Sequence, residues 1–397
     1  MGCCAHTELI LAVWLSLLAI SAAGDLHTWW DPVFGVNTTK GLVYGFGTYG
    51  CHNLSESSSC QTNHTPLPHS GGRHRGILTL DMFTPTPLGS GPPVPVLKPA
   101  VILIHGGSYV NGESYSDNMP HSARWFASRG WVAVSINYRV RGQSGLIPSG
   151  FPSGLGYTPK WPTHTVNGSR LKYGWLPSFS MIYPAVRDSK AAVRWLRVHA
   201  AELGIDRSVI VAYGSSAGAC SAISLGTNIE PDFKNDSGLS PDPDLNSTSP
   251  WVSSSVAAVV SHWGALHGIE ALEQHDNQSR VTQSFAPTIA FHGGSDYAVS
   301  PLEERTLCDR LSPLGVPCDY HALTGYGHDP TFACRCCATN CSKTAILDCS
   351  GDAFEKVKDG CELRLPTNRT LDEEALIFLS THLPNLDIVN HSNFQWM

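Results

Sequence analysis

No dense run of Lys or Arg occurs along this chain, and charged residues make up only 15% of it. The formal net charge is −7 with histidines neutral. A dedicated nucleic-acid or anionic-membrane surface needs clustered positive charge, so both are disfavoured. No apolar stretch reaches the roughly 20 residues that a spanning helix requires. Leu9–Ile20 is too short for that and is followed by Ser21-Ala22-Ala23-Gly24, small residues suited to cleavage. Residues 1–23 therefore read as a secretory signal peptide, although Lys and Arg are missing ahead of the apolar stretch. The last residues, Asn393-Phe394-Gln395-Trp396-Met397, lack the apolar tail of a lipid-anchor signal. No internal repeat or long low-complexity tail is present.

What is present is a chain of 397 residues with 42% hydrophobic composition, enough to bury a large core. Short apolar runs at 101–104, 131–137, 209–213, 256–260, 288–291 and 319–323 alternate with helical patterns, the rhythm of a parallel sheet. The chemistry-bearing residues follow these runs. Val209-Ile210-Val211-Ala212-Tyr213 leads into Gly214-Ser215-Ser216-Ala217-Gly218, a strand, a sharp turn and the start of a helix with Ser216 at the apex. In such a turn the flanking glycines let strand and helix crowd together, and the helix start presents free N–H groups where an oxyanion would form. Val101-Ile102-Leu103-Ile104 ends in His105-Gly106-Gly107-Ser108, whose glycines let main-chain N–H groups approach a substrate. Thr288-Ile289-Ala290-Phe291 precedes His292-Gly293-Gly294-Ser295-Asp296, and Tyr320-His321-Ala322-Leu323 precedes Thr324-Gly325-Tyr326-Gly327-His328-Asp329. The order is glycine loop, serine, acid, histidine.

This set of motifs resembles the α/β-hydrolase fold, and within it the esterase/lipase branch with a His-Gly-Gly oxyanion loop, the carboxylesterases and feruloyl-esterase-like proteins. Leu80-Asp81-Met82-Phe83-Thr84-Pro85, Val134-Ser135-Ile136-Asn137-Tyr138-Arg139 and Asp188-Ser189-Lys190-Ala191-Ala192-Val193-Arg194-Trp195-Leu196 resemble further elements of that branch. The likeness covers roughly 75–330 and the last helix. Ser108 departs from it, standing where many relatives have a third glycine. The expected fold is α/β: a mostly parallel central sheet flanked by helices, with loop insertions and a disulfide-rich C-terminal insertion.

The resemblance implies acyl transfer by a serine carboxylesterase. Ser216 is the nucleophile, His328 the base and Asp296 the acid that orients it. Gly107, Ser108 and Ala217 supply oxyanion donors, with Gly106 shaping the turn. Ser215 occupies the x position of the elbow, and Asp329 is the rival acid. His105, His292 and Asp188 read as structural. The substrate is a small-molecule or polymer-linked ester, and neither cofactor nor metal is called for. A serine peptidase or amidase on the same fold and a non-catalytic binding protein are the competing readings. No large propeller domain of the kind beside one peptidase branch is seen, and the retained triad order argues against a binding protein. Oligomeric state is not readable.

Residues 24–397 read as one catalytic domain. Its polar entry segment spans 24 to about 75, and 142–184, rich in glycine, proline and aromatics, is a cap or substrate loop. Residues 227–250 form a solvent-facing polar insertion, and 330–362 a cysteine-rich insertion that reads as a brace for the histidine loop, with a small interaction module as the alternative. Thr370-Leu371-Asp372-Glu373 reads as a capping box opening the final helix. Sequons at Asn37, Asn53, Asn63, Asn167, Asn235, Asn246, Asn277, Asn340, Asn368 and Asn390 fit an exported glycoprotein. Of the thirteen cysteines, Cys3 and Cys4 leave with the signal segment and Cys220 reads as a buried free thiol. Local disulfides are expected for Cys51 with Cys60 and Cys308 with Cys318. Cys334, Cys336, Cys337, Cys341, Cys349 and Cys361 pair among themselves in an order left open. A zinc site is the alternative for that cluster, but its spacing lacks paired C-x-x-C knuckles.

Overall fold

The computed structural model describes residues 32–49, 67–68, 74–91, 93–141, 143, 163–166, 169–172, 179–234, 244–328, 363, 365–383 and 386. The expected signal peptide, the insertion at 330–362, most of 142–184 and Asp329 lie outside them. So do Asn53, Asn63, Asn167, Asn235, Asn340 and Asn390, and Cys51, Cys60, Cys334, Cys336, Cys337, Cys341, Cys349 and Cys361.

In chain order the elements are β1 (Gly35–Tyr49), β2 (Leu67–Pro68), β3 (His74–Thr86), β4 (Lys98–Ile104), α1 (Met119–Ala127), β5 (Val132–Ile136), β6 (Thr163–Val166), β7 (Ser169–Lys172), α2 (Phe179–Val198), α3 (Ala200–Leu203), β8 (Ile205–Ser215), α4 (Ala217–Gly226), β9 (Ala258–His262), α5 (His267–Asp276), β10 (Thr288–Gly293), α6 (Pro301–Leu311), β11 (Cys318–Leu323) and α7 (Leu371–His382). The main sheet runs β1-β3-β5-β4-β8-β9-β10-β11, with β2 on β3, while β6 and β7 form a separate hairpin. From β5 to β11 every pairing is parallel, and β3 and β1 add antiparallel edges. This is the α/β architecture expected.

Strand periodicity explains why helices cover both faces. Ile102 and Ile104 of β4 join one buried cluster with Ile182, Val186, Ile223 and Ile269 of α2, α4 and α5. Val101 and Leu103 join the other with Phe126 of α1 and Leu376 and Leu379 of α7. Adjacent residues of a strand point to opposite faces, so an uninterrupted apolar run signals burial on both sides. Each large side chain withdrawn from water contributes about 1.5–3 kcal/mol before chain entropy is counted.

Two expectations need correction, and the polar entry segment holds an element not assigned from sequence: Gly35–Tyr49 is a long strand paired with β3. Its glycines and paired threonines read as turns, and the pairing shifts register between Thr39 and Leu42 and again between Val43 and Gly45. The proposed loop at 142–184 ends earlier, since α2 begins at Phe179 and runs through Pro184. Residues 227–250 are not simply solvent-facing: Phe233 is in the core, Arg194 donates to the Thr248 carbonyl (2.7 Å) and Phe46 N–H to Ser247 Oγ (2.9 Å). The segment packs against α2 and β1, and Asn246 faces water. A disulfide joins Cys308 on α6 to Cys318 on β11, and Cys220 is a buried free thiol, as expected for both. Among the described residues no helix is long and apolar enough to cross a membrane.

Candidate active site

The parallel strands deliver their loops to one rim. Ile104 at the end of β4 pairs with Gly214 near the end of β8, so the His105-Gly106-Gly107 loop lies beside the Ser216 turn. Gly293 of β10 pairs with Leu323 of β11, bringing the Asp296 and His328 loops together. This rim, at the carboxyl ends of the strands, is where open α/β sheets collect ligand-binding loops.

Ser216 sits between β8 and α4 at φ 52° and ψ −119°. A non-glycine residue there is strained, and surrounding structure must hold it. The Ser216 N–H donates to the His262 carbonyl at the end of β9 (2.9 Å), and its carbonyl accepts from Cys220 N–H (3.0 Å). A Cβ at Gly218 would collide with the Ile104 and His105 carbonyls, and one at Gly214 with the Gly218 backbone. Only glycine at both positions lets the helix start this close to the strand.

Ser216 Oγ lies 2.9 Å from His328 Nε2, and His328 Nδ1 donates to Asp296 Oδ2 at 2.7 Å. Asp296 is fully buried and its other oxygen, Oδ1, accepts from Ala298 N–H (2.7 Å) and Val299 N–H (2.9 Å). Burial favours the neutral acid, but hydrogen bonds from His292 and His328 outweigh it and hold the carboxyl well below the usual carboxylate range. His328 is partly exposed, with the Trp263 ring edge-on at 6.5 Å.

Ser215 points away, its hydroxyl donating to Asp117 Oδ2 (2.9 Å). The same carboxylate oxygen accepts the Gly106 N–H. That engages Gly106 in the turn, the role expected of it, and ties the glycine loop to the serine elbow. A Cβ on Gly106 would stand 2.5 Å from Asp117 Oδ2 and 3.0 Å from Ser216 Cβ. Gly107 (φ 91°), Ser108 (φ 59°) and Tyr109 (φ 60°) then run in left-handed backbone. Ser108 is thus strained where glycine would be at ease. Tyr138 buttresses the loop from below: its hydroxyl bonds to the His105 carbonyl (2.9 Å) and its ring stacks on His105. Asp188 is structural, clasping Arg139 in a buried ion pair (2.7 Å) that joins the end of β5 to α2.

Ser216, His328, Ala217 and Ser108 open onto one cavity of 330 Å³, also lined by Tyr109, Cys220, His267, Tyr297, Ala298 and Val299. Burial pushes the Cys220 thiol up to about 12 and the His267 imidazole down to about 4, so both are neutral near pH 7. Neither Cys220 nor His267 therefore brings a charge to the described wall. Among the described residues no group of three His, Cys, Asp or Glu side chains is placed to hold a metal. Asp117 and Glu304 belong to none of the sequence motifs. Glu304 lies in the first turn of α6 and is fully buried against His292; an acid there reads from sequence as an ordinary exposed complement to the helix dipole.

The BD-FAE family model matches residues 82–149 and 177–284, which hold the glycine loop and the serine elbow. Those two stretches match an esterase/feruloyl-esterase-like α/β-hydrolase family. This chain is 23% identical over 248 residues to Esterase LipC of Mycobacterium tuberculosis, covering 58% of this chain and 52% of that one. It is 31% identical over 150 residues to Phenmedipham hydrolase of Pseudarthrobacter oxydans (37% and 22%), and 26% identical over 232 residues to Esterase cest-33 of Caenorhabditis elegans (58% and 31%). The matches span about half or less of these curated relatives. Among solved structures, Thermogutta terrifontis esterase 2 phosphorylated by paraoxon is 22% identical, with 77% of this chain and 89% of that chain covered at a TM-score of 0.47.

Proposed function

We propose that this protein hydrolyses carboxylic esters through an acyl-enzyme on Ser216. The observation that carries the reading is the row of hydrogen bonds from Ser216 Oγ through His328 to a buried Asp296. In the first step His328 Nε2 takes the hydroxyl proton as Oγ attacks the ester carbonyl, and Asp296 stabilises the imidazolium. The oxyanion is received by the N–H groups of Ala217, Gly107 and Ser108; one such donor is worth roughly 3–4 kcal/mol in the transition state. Collapse expels the alcohol, which leaves with the proton from His328. Water then attacks the acyl-enzyme, again giving up its proton to His328, and the carboxylic acid departs with Ser216 restored. The cavity beside Ser216, walled in part by Ala217, Ala298, Val299 and the neutral Cys220 and His267, suits an uncharged acyl group, and the names of the curated relatives agree with ester hydrolysis.

Export and glycosylation belong to the same proposal. They are supported by the Leu9–Ile20 segment, by the Cys308–Cys318 disulfide, and by the exposure of the sequon residues Asn37, Asn246, Asn277 and Asn368. A panel of p-nitrophenyl esters, feruloyl esters and peptide anilides, run on wild type and Ser216→Ala, tests the activity. Ester turnover lost in the variant is expected. Turnover of anilides alone would move the assignment to a peptidase.

A further inference from the structure

Asp296 is engaged from two sides. His328 occupies its solvent-facing flank, and His292, fully buried on β10, approaches the same Oδ2 with Nε2 at 3.1 Å. The other nitrogen of His292 lies 2.7 Å from Glu304 Oε2. Glu304 is itself fully buried, and its Oε1 accepts the Ser261 hydroxyl and the Gly264 N–H (2.8 Å). A histidine with a carboxylate at each ring nitrogen donates from both and is an imidazolium. Burial opposes that charge, yet Glu304 and Asp296 together outweigh it and raise His292 to about 9. The row thus continues past the acid: Ser216, His328, Asp296, His292, Glu304.

We propose that the buried Glu304–His292 ion pair is a charged backing to Asp296 that keeps His328 a free base into mildly acidic solution, which makes both groups positioning residues of the serine site. The proposal rests on the reading of His328 as the base. Its physics is short-range. A lone Asp296 carboxylate would stabilise the His328 imidazolium in full, whereas a positive ring immediately behind Asp296 offsets part of that attraction. Glu304 neutralises the added charge but stands farther from His328. The pair also pins the carboxylate, because two backbone N–H groups and two histidines occupy both of its oxygens.

Other titratable groups pack around the pair. Tyr320 of β11 donates its hydroxyl to the Pro301 carbonyl (3.2 Å) and is kept protonated by burial. Arg305 follows Glu304 on α6. Burial keeps Cys220 neutral below about 12, and keeps His262, at the end of β9, neutral above about 3. Glu303 accepts the Leu266 N–H (3.3 Å).

The substitution Glu304→Gln removes the charge with little change of shape. Its amide donates to His292 Nδ1, leaving a neutral ring that still donates Nε2–H to Asp296. Histidine-selective ¹⁵N spectra of the full chain read both rings against pH, with His292→Gln and His328→Asn assigning the signals. In wild type, His292 is expected to carry protons on both nitrogens from pH 5 to 8. In Glu304→Gln it carries one, and the His328 midpoint moves up by about one pH unit. The acid limb of kcat/KM follows by the same amount, so relative activity near pH 5 drops about tenfold. A purely structural brace would lower stability or kcat and leave both midpoints in place, which would overturn the proposal. A neutral His292 in wild type at pH 6 would overturn it without any variant. Absent ester turnover with the expected ring titrations would strike the proposed function instead.

Discussion

Asp117 shows how much a single side chain carries at this rim. One of its carboxylate oxygens accepts from both Gly106 N–H and Ser215 Oγ, joining two loops that β4 and β8 only bring near each other. Asp117→Ala leaves both donors without their acceptor and frees Gly107 and Ser108 to relax from left-handed backbone. The loss falls on oxyanion binding, made only in the transition state. Steady-state kinetics should therefore show kcat reduced by roughly ten- to a hundredfold with KM nearly unchanged. A rise in KM alone would mean that the loop contacts ground-state substrate instead. The strand, Gly-Ser-Ser-Ala-Gly and helix succession made the Ser216 turn legible from sequence, because crowding at Gly214 and Gly218 is a local demand. Asp117 was not legible, since its partners lie 11 and 98 residues away.

Among the elements, α6 joins the fold's architecture to its site. It carries Glu304 in its first turn, and its Cys308 is tied to Cys318 at the start of β11. Closing that ten-residue loop restricts the unfolded chain, worth roughly 2–3 kcal/mol. Replacing both cysteines by alanine should lower unfolding free energy by about that amount in urea titrations. An unchanged midpoint would show that α6 is held by packing alone. The buried parallel strands were readable because their apolar runs are uninterrupted. The capping box at Thr370 was readable too, its hydroxyl accepting Glu373 N–H (3.2 Å) while Glu373 accepts the Thr370 N–H (2.8 Å). Strand β1 was not, because its pairing with β3 is antiparallel, irregular and built on glycines that locally favour turns. The start of α2 was hidden by Pro184, which reads as a helix breaker until tertiary packing overrides it.

For the whole molecule, the buried charges set a pH window for stability. His292 is raised to about 9 in the folded protein, above its ordinary value near 6.5. Its contribution is complete below pH ~6.5 and is lost as pH rises through about 9. Asp296 is held below the carboxylate range, so its contribution is present above ~3.9 and lost as pH falls. Buried His262 and His267, neutral down to about 3 and about 4, add stability that is lost as pH falls below ~6.5, so urea midpoints should peak near pH ~6.5 and decline toward pH ~9. His292→Gln should flatten the alkaline decline; a wild-type midpoint constant from pH 6 to 9 would contradict the imidazolium.

The central claim is that Ser216 is a nucleophile activated by His328. Intact-mass and peptide-mass spectrometry after treatment with a fluorophosphonate tests it most directly. One adduct per chain is predicted, located on Ser216, absent from Ser216→Ala and formed far more slowly in His328→Asn. A folded wild-type protein that takes no adduct, or takes it on another serine, would contradict the account.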